Sequence, residues 1–370
     1  MADSLRQRIA TGYAIPPGET LLELLEERGM SQSDLARRTN RPLKTINEIV
    51  RGKAAITPET AIQFERVLGM PDTFWNNLER NYREDRARLD ERRELGEQVE
   101  WLKQFPIKEL IRFGAINEAK DKVDQLSELL RFFAVSSPIA WDRQLAVSGA
   151  MFRRSAIFAA SPPAVAAWLR WGELEADKID CQPFDAEKFR LALKKVKPLT
   201  REDPEMFVPA VQRICAEAGV AVVFIPDLPK TRASGVARWL TPTKAMIQLS
   251  LYGKSDDKLW FSFFHEAGHV LLHGRKEGYL DSIERTAGGL PDVQEDEANR
   301  FARDFLISPA DYQRIAATHN TSTTIIARFA AEIDIAPGIV VGRLQHDGLV
   351  PPNYCNKLKR PLQWANDQEA

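Results

Sequence analysis

Apolar residues recur at helical spacing over most of this chain. Short helical patterns with tight turns between them follow one another from Glu19 to about Trp75. Residues 76–100 contain helix formers but few large apolar groups, and residues 101–200 again carry Leu, Phe, Trp and Ala at helical spacing. Because a period of about 3.6 residues is that of the α-helix, the pattern predicts an all-helical first half.

The pattern changes after Pro198. Gly219–Ile225 and Ala245–Leu251 are runs of β-branched and aliphatic residues, which are typical of strands. Helical patterns return in a segment with three histidines and continue to about Thr318, and two further short ones follow. The expected fold class is therefore mainly α with a small β-sheet.

Composition and charge exclude several classes of protein. The 370 residues are 44% hydrophobic and 28% charged, a globular balance that predicts two or three domains. The sequence has no apolar run near the ~18 residues of a membrane helix, no signal-peptide pattern and no paired cysteine spacing. We therefore expect a cytoplasmic protein without a membrane partner. The net charge of −1, taken alone, argues against a nucleic-acid binder.

Residues 31–53 nevertheless predict a basic pair of helices joined by a tight turn. Ser31 can cap the first helix, Asn40 suits the turn, and Pro42 suits the start of the second helix. The segment holds six basic residues against two acidic ones, a local charge of +4. Such a second helix can enter the major groove of DNA. The candidate DNA-binding residues are Arg38, Arg41, Lys44, Thr45, Asn47, Arg51 and Lys53.

Pattern alone leaves open a helical pair that is basic without binding DNA, and a resemblance favours DNA binding. From Pro17 to about Trp75 the sequence resembles the Cro/C1-type (XRE) helix-turn-helix family, and within it the HigA-like antitoxin repressors. The matching marks are the PGE opening, the S-Q-x-x-L-A helix, the I-x-x-I-x-x-G-K end and the ITPETA segment. The resemblance implies a five-helix domain that binds pseudo-palindromic operator DNA as a homodimer.

A second constellation lies in residues 261–274, FSFFHEAGHVLLHG. His265 and His269 are four residues apart, so on a helix they share one face and can bind one metal ion, while Glu266 can take a proton from water at an open metal position. This is the H-E-x-x-H arrangement of zinc peptidases. His273 lies ~12 Å beyond His265 along a straight helix, too far for the third ligand of a catalytic site. We expect it to support a ligand or to lie at the helix end.

A carboxylate on a later helix is the better candidate for the third ligand. Glu295 and Asn299 are four residues apart on one helix face, so Glu295 could bind zinc while Asn299 orients a ligand histidine. Glu297, two residues further on, is the competitor. The sequence favours Glu295 and leaves Glu297 open.

Together these residues resemble the ImmA/IrrE (DUF955) metallopeptidase family. The resemblance spans about Val220 to Pro309 and includes the SGVARW turn and the E-x-x-A-N-x-F-A pattern. It implies a zincin-like α+β domain in which His265, His269 and Glu295 bind Zn²⁺ and Glu266 is the catalytic base. All four residues are present, so an inactivated site is not indicated. The upstream strand Ala245–Leu251 is expected at the edge of the sheet, where an extended peptide can pair with it.

These patterns predict an order of segments and a function. The segments are a flexible arm (1–17), the helix-turn-helix domain (18–78), a charged helical linker (79–100), a helical middle domain for dimerisation or sensing (101–200), the zinc metallopeptidase domain (201–315) and a C-terminal helical extension (316–370). The hypothesis is an antitoxin-like or repressor-like transcriptional regulator whose zinc endopeptidase domain cleaves the chain itself or a cognate repressor. The alternative is a non-catalytic HigA-like antitoxin or repressor that neutralises a RelE-like toxin or senses a ligand through the metal domain.

Overall fold

The structure is a computed structural model that describes residues 13–152, 161–273, 292–318 and 321–364. The chain divides into two compact units, one of residues up to 100 together with 121–123, and one of residues 101–120 and from 124 onward. None of the helices in the described ranges is both long and apolar enough to cross a bilayer. Most of the predicted flexible arm lies outside the described residues.

The N-terminal unit is built from consecutive helices around one core. Its helices are α1 (Pro17–Glu27), α2 (Gln32–Thr39), α3 (Leu43–Val50), α4 (Pro58–Leu68) and α5 (Asp72–Gly96). Leu35 of α2, Ile46 of α3 and Phe64 of α4 are fully buried in this core. Trp75 of α5 closes it, edge-on to Phe64 with 5.3 Å between the ring centroids. The five-helix domain expected from the sequence is therefore confirmed.

Individual residues set the helix ends in this unit. The Ser31 hydroxyl accepts a hydrogen bond from the Asp34 N–H at 3.1 Å and caps α2. Asn40 ends α2 with a φ of 53°, in the left-handed region that asparagine tolerates. α5 continues without a break past residue 78, where the sequence analysis placed a domain boundary, and Tyr82 on it is buried beside Gly52. The charged segment thus begins as part of the helix that completes the domain.

Gly18 allows α1 to touch α3. A Cβ atom at Gly18 would lie 2.2 Å from the carbonyl oxygen of Val50 and 2.5 Å from that of Ile49. We predict that Gly18→Ala destabilises this unit by about 1–3 kcal/mol, because backbone atoms can yield only if a helix shifts. Gly96→Ala is the control, since its Cβ would meet nothing closer than 4.0 Å.

Hydrogen exchange of the amides in residues 17–50 checks this prediction, because it reports local opening in the full chain. Faster exchange is expected in Gly18→Ala and not in Gly96→Ala. Equal protection in the two variants would contradict the prediction.

The described residues after position 100 form further helices and three strands. The helices are α6 (Ile107–Arg112), α7 (Lys122–Phe133), α8 (Pro138–Phe152), α9 (Pro162–Asp177), α10 (Ala186–Val196), α11 (Pro204–Ala216), α12 (Asp256–Leu272), α13 (Asp292–Leu306), α14 (Pro309–Ala317), α15 (Thr323–Glu332) and α16 (Pro337–His346). The strands are β1 (Val220–Phe224), β2 (Gly235–Thr241) and β3 (Lys244–Leu249). A mainly α chain with a small sheet, as expected, is confirmed.

The sheet has the strand order β1–β3–β2. β3 pairs in parallel with β1, where Ala245 faces Val220, and antiparallel with β2, where Leu249 faces Gly235. The expectation that Ala245–Leu251 forms the edge is therefore wrong, because β3 is hydrogen-bonded on both sides. Among the described strands, β2 is the one at the edge next to α12.

A single core joins segments that the sequence pattern predicts to be three separate domains. Phe189 of α10 and Phe207 of α11 pack in the same cluster as Ile247 of β3 and Phe263 of α12. Val340 of α16 belongs to it as well. The positions 200 and 315, where boundaries were expected, thus do not separate different cores. An amphipathic helix shows in its sequence that it has a buried face, but not against which core that face packs.

Candidate functional site

Two helices, α12 and α13, carry the residues of the expected metal site. They approach closely at Gly268 of α12, where a Cβ atom would lie 3.1 Å from Cδ1 of Phe301 and 3.3 Å from Cα of Ala298. Ala298 is itself fully buried. These small residues at the crossing place the histidines of α12 opposite the carboxylates of α13.

His265, His269 and Glu295 come together at one point. Nε2 of His265 lies 3.0 Å from Nε2 of His269. The Glu295 carboxylate oxygens lie 3.3 Å from Nε2 of His265 and 3.5 Å from Nε2 of His269. Ligands about 2.0–2.1 Å from a tetrahedral zinc ion are separated from one another by about 3.3 Å, so the two Nε2 atoms and the Glu295 carboxylate, which presents one oxygen to each of them, lie at spacings close to those of zinc ligands.

The second ring nitrogen, Nδ1, of His265 and of His269 also has a partner. Nδ1 of His265 lies 3.0 Å from Oδ1 of Asn299, and Nδ1 of His269 lies 3.1 Å from Nδ1 of His273. A proton on each Nδ1 donates to these partners and leaves the Nε2 lone pairs free for a metal ion. The structure thus places Asn299 against His265 and His273 against His269.

Glu297 has a different place from Glu295. Its Oε2 lies 2.9 Å from Nε2 of His273, so that His269, His273 and Glu297 form a chain. With neutral rings this chain is satisfied when His269 donates to His273 and His273 donates to Glu297. In this geometry Glu297 supports His269 through His273, and it is Glu295 that reaches both Nε2 atoms.

Glu266 lies next to His265 on α12, in a pocket made by β2. A Cβ atom at Gly235 of β2 would lie 3.0 Å from Cγ and 3.2 Å from Oε1 of Glu266. Burial raises the pKa of the Glu266 carboxyl to about 7, although the His265 charge and a hydrogen bond from the backbone N–H of Ala237 oppose this rise. Gly235 thus leaves room for the Glu266 side chain. Only the fold shows this, because the SGVARW pattern does not indicate that Glu266 lies opposite the glycine.

Burial and neighbouring groups also shift the pKa values of His269 and Glu295. Burial lowers the pKa of His269 to about 4, and the neighbouring His265 adds to that effect. When Nε2 of His265 carries a proton, its hydrogen bond to Glu295 lowers the pKa of that carboxyl. At neutral pH His269 is therefore neutral and Glu295 is charged, which are the forms that bind a metal ion.

An ion pair ties the edge strand β2 to α9. Nη1 of Arg238 lies 2.7 Å from Oε1 of Glu173, and both side chains are largely buried. Glu173 also pairs with Arg170 of the same helix at 3.0 Å. A helix from the predicted middle domain thus fixes the strand that borders Glu266, a connection for which the sequence analysis had no signal.

The basic residues of the helix-turn-helix pair differ in exposure. Arg38, Lys44, Arg51 and Lys53 are exposed, whereas Thr45 and Asn47 are half-buried. Nε of Arg41 donates a hydrogen bond to Oε1 of Gln63 at 2.6 Å, so Arg41 is held against α4. Four of the seven predicted contact residues therefore face solvent. Arg41 is held by Gln63, and Nζ of Lys44 lies 3.9 Å from Oε1 of Glu48 on its own helix.

Comparisons with known proteins match the two regions separately. Residues 21–75 match the helix-turn-helix family, and residues 215–344 match a peptidase family described as IrrE N-terminal-like domain. Over 63 residues, 17% of this chain and 67% of the relative, the sequence is 36% identical to the uncharacterized HTH-type transcriptional regulator YddM of Escherichia coli (strain K12). A solved addiction module antidote protein of the HigA family from Coxiella burnetii is 31% identical, with 24% of this chain and 91% of that chain covered and a TM-score of 0.20.

Proposed function

We propose that this chain binds operator DNA and cleaves a protein with the help of zinc. The proposal starts from its family: the chain belongs to the helix-turn-helix transcriptional regulators and carries an IrrE-like peptidase-family domain in the same polypeptide. Its substrate is the chain itself or a cognate repressor. The proposal rests above all on the convergence of His265, His269 and Glu295 at one point, with Glu266 buried beside them.

The donor set at this point suits zinc. Two imidazole nitrogens and one carboxylate oxygen form a donor set found in catalytic zinc sites, and they would leave one position at the metal for water. Zinc bound there would supply Lewis acidity, polarising a peptide carbonyl and acidifying water. His265 and His269 would hold it through Nε2, and Glu295 would offset part of its charge.

Glu266 then supplies the proton transfer of the reaction. Its carboxylate accepts a proton from the water that attacks the peptide carbonyl and passes it to the nitrogen of the leaving peptide. The backbone N–H of Ala237 and the close approach of Gly235 fix the carboxylate in position. The outer edge of β2 is the place where an extended peptide substrate would pair beside this carboxylate.

The DNA-binding half of the proposal is tested on α3. Lys44 and Arg51 are exposed at its two ends. We expect the double variant Lys44→Ala/Arg51→Ala to bind the chain's own promoter fragment at least about 30-fold more weakly, because each of the two lost contacts costs ~1–3 kcal/mol and about 1.4 kcal/mol is tenfold in affinity. Fluorescence anisotropy at one fixed salt concentration measures this. Arg88→Ala, an exposed arginine on α5, is the control.

The two halves of the proposal fail separately. Equal promoter affinity of the double variant and the Arg88→Ala control would remove α3 as the DNA-binding helix. Metal analysis together with incubation of the full chain against candidate repressors tests the peptidase half. A protein that contains less than stoichiometric zinc after zinc loading and cuts neither itself nor any repressor would overturn it.

A further inference from the structure

A cavity of about 880 Å³ lies beside the metal cluster, between α12, α13, α16 and the segment 352–359. Phe261 and Ser262 line it one helical turn before His265, on the same face of α12. Asn299, which bonds to His265, lines it too. Its volume is within the range of about 300–1,000 Å³ of small-molecule sites, and the proposed proton transfer involves none of these lining residues.

The wall of this cavity carries an excess of positive charge. Its cationic side chains include those of Lys258, Arg300, Arg303 and Arg343. Lys359 also lines the cavity, but its Nζ lies 2.7 Å from Oδ2 of Asp257, so this pair is neutral. Asp347 pairs with Arg343 at 2.6 Å, and Asp296 lines the wall, which leaves more cations than carboxylates.

Two guanidinium nitrogens in this wall are buried without an acceptor. Nε of Arg303 and Nη1 of Arg343 have no hydrogen-bond partner in the part of the chain that the structure describes. The Arg343 side chain is nevertheless held in place, because its Nε pairs with Asp347 and its guanidinium carbon lies 4.3 Å from the centre of the Tyr312 ring. A buried donor without an acceptor is costly, so a small rotation of either guanidinium group toward an acceptor in the cavity would gain a hydrogen bond.

We propose that this cavity binds a small organic anion. Its carboxylate or phosphate group accepts hydrogen bonds from Arg303 and Arg343, since a guanidinium group matches these planar or branched oxygen acceptors. The rest of the ligand packs on apolar side chains of the same cavity, such as Phe261, Leu306 and Ile339. The proposal concerns binding alone and does not depend on whether the neighbouring metal cluster cleaves peptides.

Titration calorimetry of the full chain with three probes tests this proposal. The probes are inorganic phosphate, benzoate and adenosine 5′-monophosphate. We expect one molecule of an organic probe to bind per chain, more tightly than phosphate, because only an organic probe also covers the apolar wall. Arg303→Met keeps the length of the side chain but removes the donors, and is expected to weaken binding by about 10- to 100-fold.

Two further variants keep this test decisive. Arg343→Met should weaken binding in the same way, so the result does not depend on one variant that folds poorly. Arg328→Met is the matched control, since this exposed arginine lies on α15 outside the cavity, and it should leave affinity unchanged. Absence of binding by all three probes overturns the proposal. Binding that persists in Arg303→Met and Arg343→Met overturns it too, because the anion would then lie elsewhere, for example on zinc.

Discussion

Replacement of Glu266 by glutamine is expected to lower the rate of peptide cleavage by about 10²- to 10⁴-fold, the usual contribution of a general base. Glutamine has nearly the same shape and still offers an oxygen to the backbone N–H of Ala237. It cannot accept a proton from water, because its amide is not basic. The loss should therefore appear in the rate of cleavage and not in the fold or the zinc content.

The buried setting of Glu266 makes this variant informative. The carboxylate is enclosed by β2, where Gly235 leaves just enough room for it. Glu266 is not one of the three residues, His265, His269 and Glu295, that could hold a metal ion. We therefore expect Glu266→Gln to keep stoichiometric zinc while cleavage is lost. Glu205→Gln, at an exposed glutamate on α11, is the control and should cleave at the wild-type rate.

Cleavage of a candidate repressor, followed by gel electrophoresis with metal analysis on the same samples, measures both effects. Unchanged cleavage by Glu266→Gln would show that this carboxylate is not the base. Unchanged regulation in cells, with zinc retained, would instead favour a regulator that uses its metal domain without turnover.

The second large effect concerns the choice between Glu295 and Glu297. Both glutamates of α13 lie near the histidines, but only Glu295 has oxygens within 3.5 Å of the Nε2 atoms of both His265 and His269. Oε2 of Glu297 lies 2.9 Å from Nε2 of His273, so Glu297 reaches His269 only through His273. We expect Glu297→Gln to weaken zinc binding by at most the ~10- to 100-fold typical of residues that support a ligand, and Glu295→Gln to weaken it more.

Competition with a chromophoric chelator measures the two zinc dissociation constants. Each glutamine variant is the other's matched control, because the substitutions are identical and two residues apart on one helix. If Glu297→Gln bound zinc more weakly than Glu295→Gln, the assignment would be reversed, with Glu297 as the zinc ligand and Glu295 as the supporting residue. If both variants bound zinc with the wild-type affinity, neither glutamate of α13 would contribute to zinc binding.

The expectations that hold best are those that depend on one segment of chain. The five helices of the N-terminal unit follow from caps, turns and periodic apolar residues that are all local, such as Ser31 and Asn40. The same is true of His265 and His269, because a spacing of four residues places both on one face of any helix. The expected strands also form, since a run such as residues 220–224 is apolar without interruption.

The expectations that failed concern how segments pack. The pattern of β3 is that of a buried strand, but it does not state which strands flank it, and the assignment of residues 245–251 to an edge was wrong. The helices before residue 200 and after residue 315 show apolar faces, yet only the fold joins them to one core. The local sequence pattern indicates which positions are buried. Which strands pair and which helices pack together depends on residues that lie far apart in the chain.

The sequence by itself determined that this chain has a basic helix-turn-helix pair and a helix with two histidines and a glutamate, because each is encoded within a single turn or two of helix. Only the tertiary structure decided which carboxylate meets those histidines, since that depends on the crossing of α12 and α13 at Gly268. It likewise decided that β2 borders Glu266 and that arginines from α13 and α16 share one cavity. Contacts between distant segments depend on the whole packing arrangement, which local periodicity does not contain.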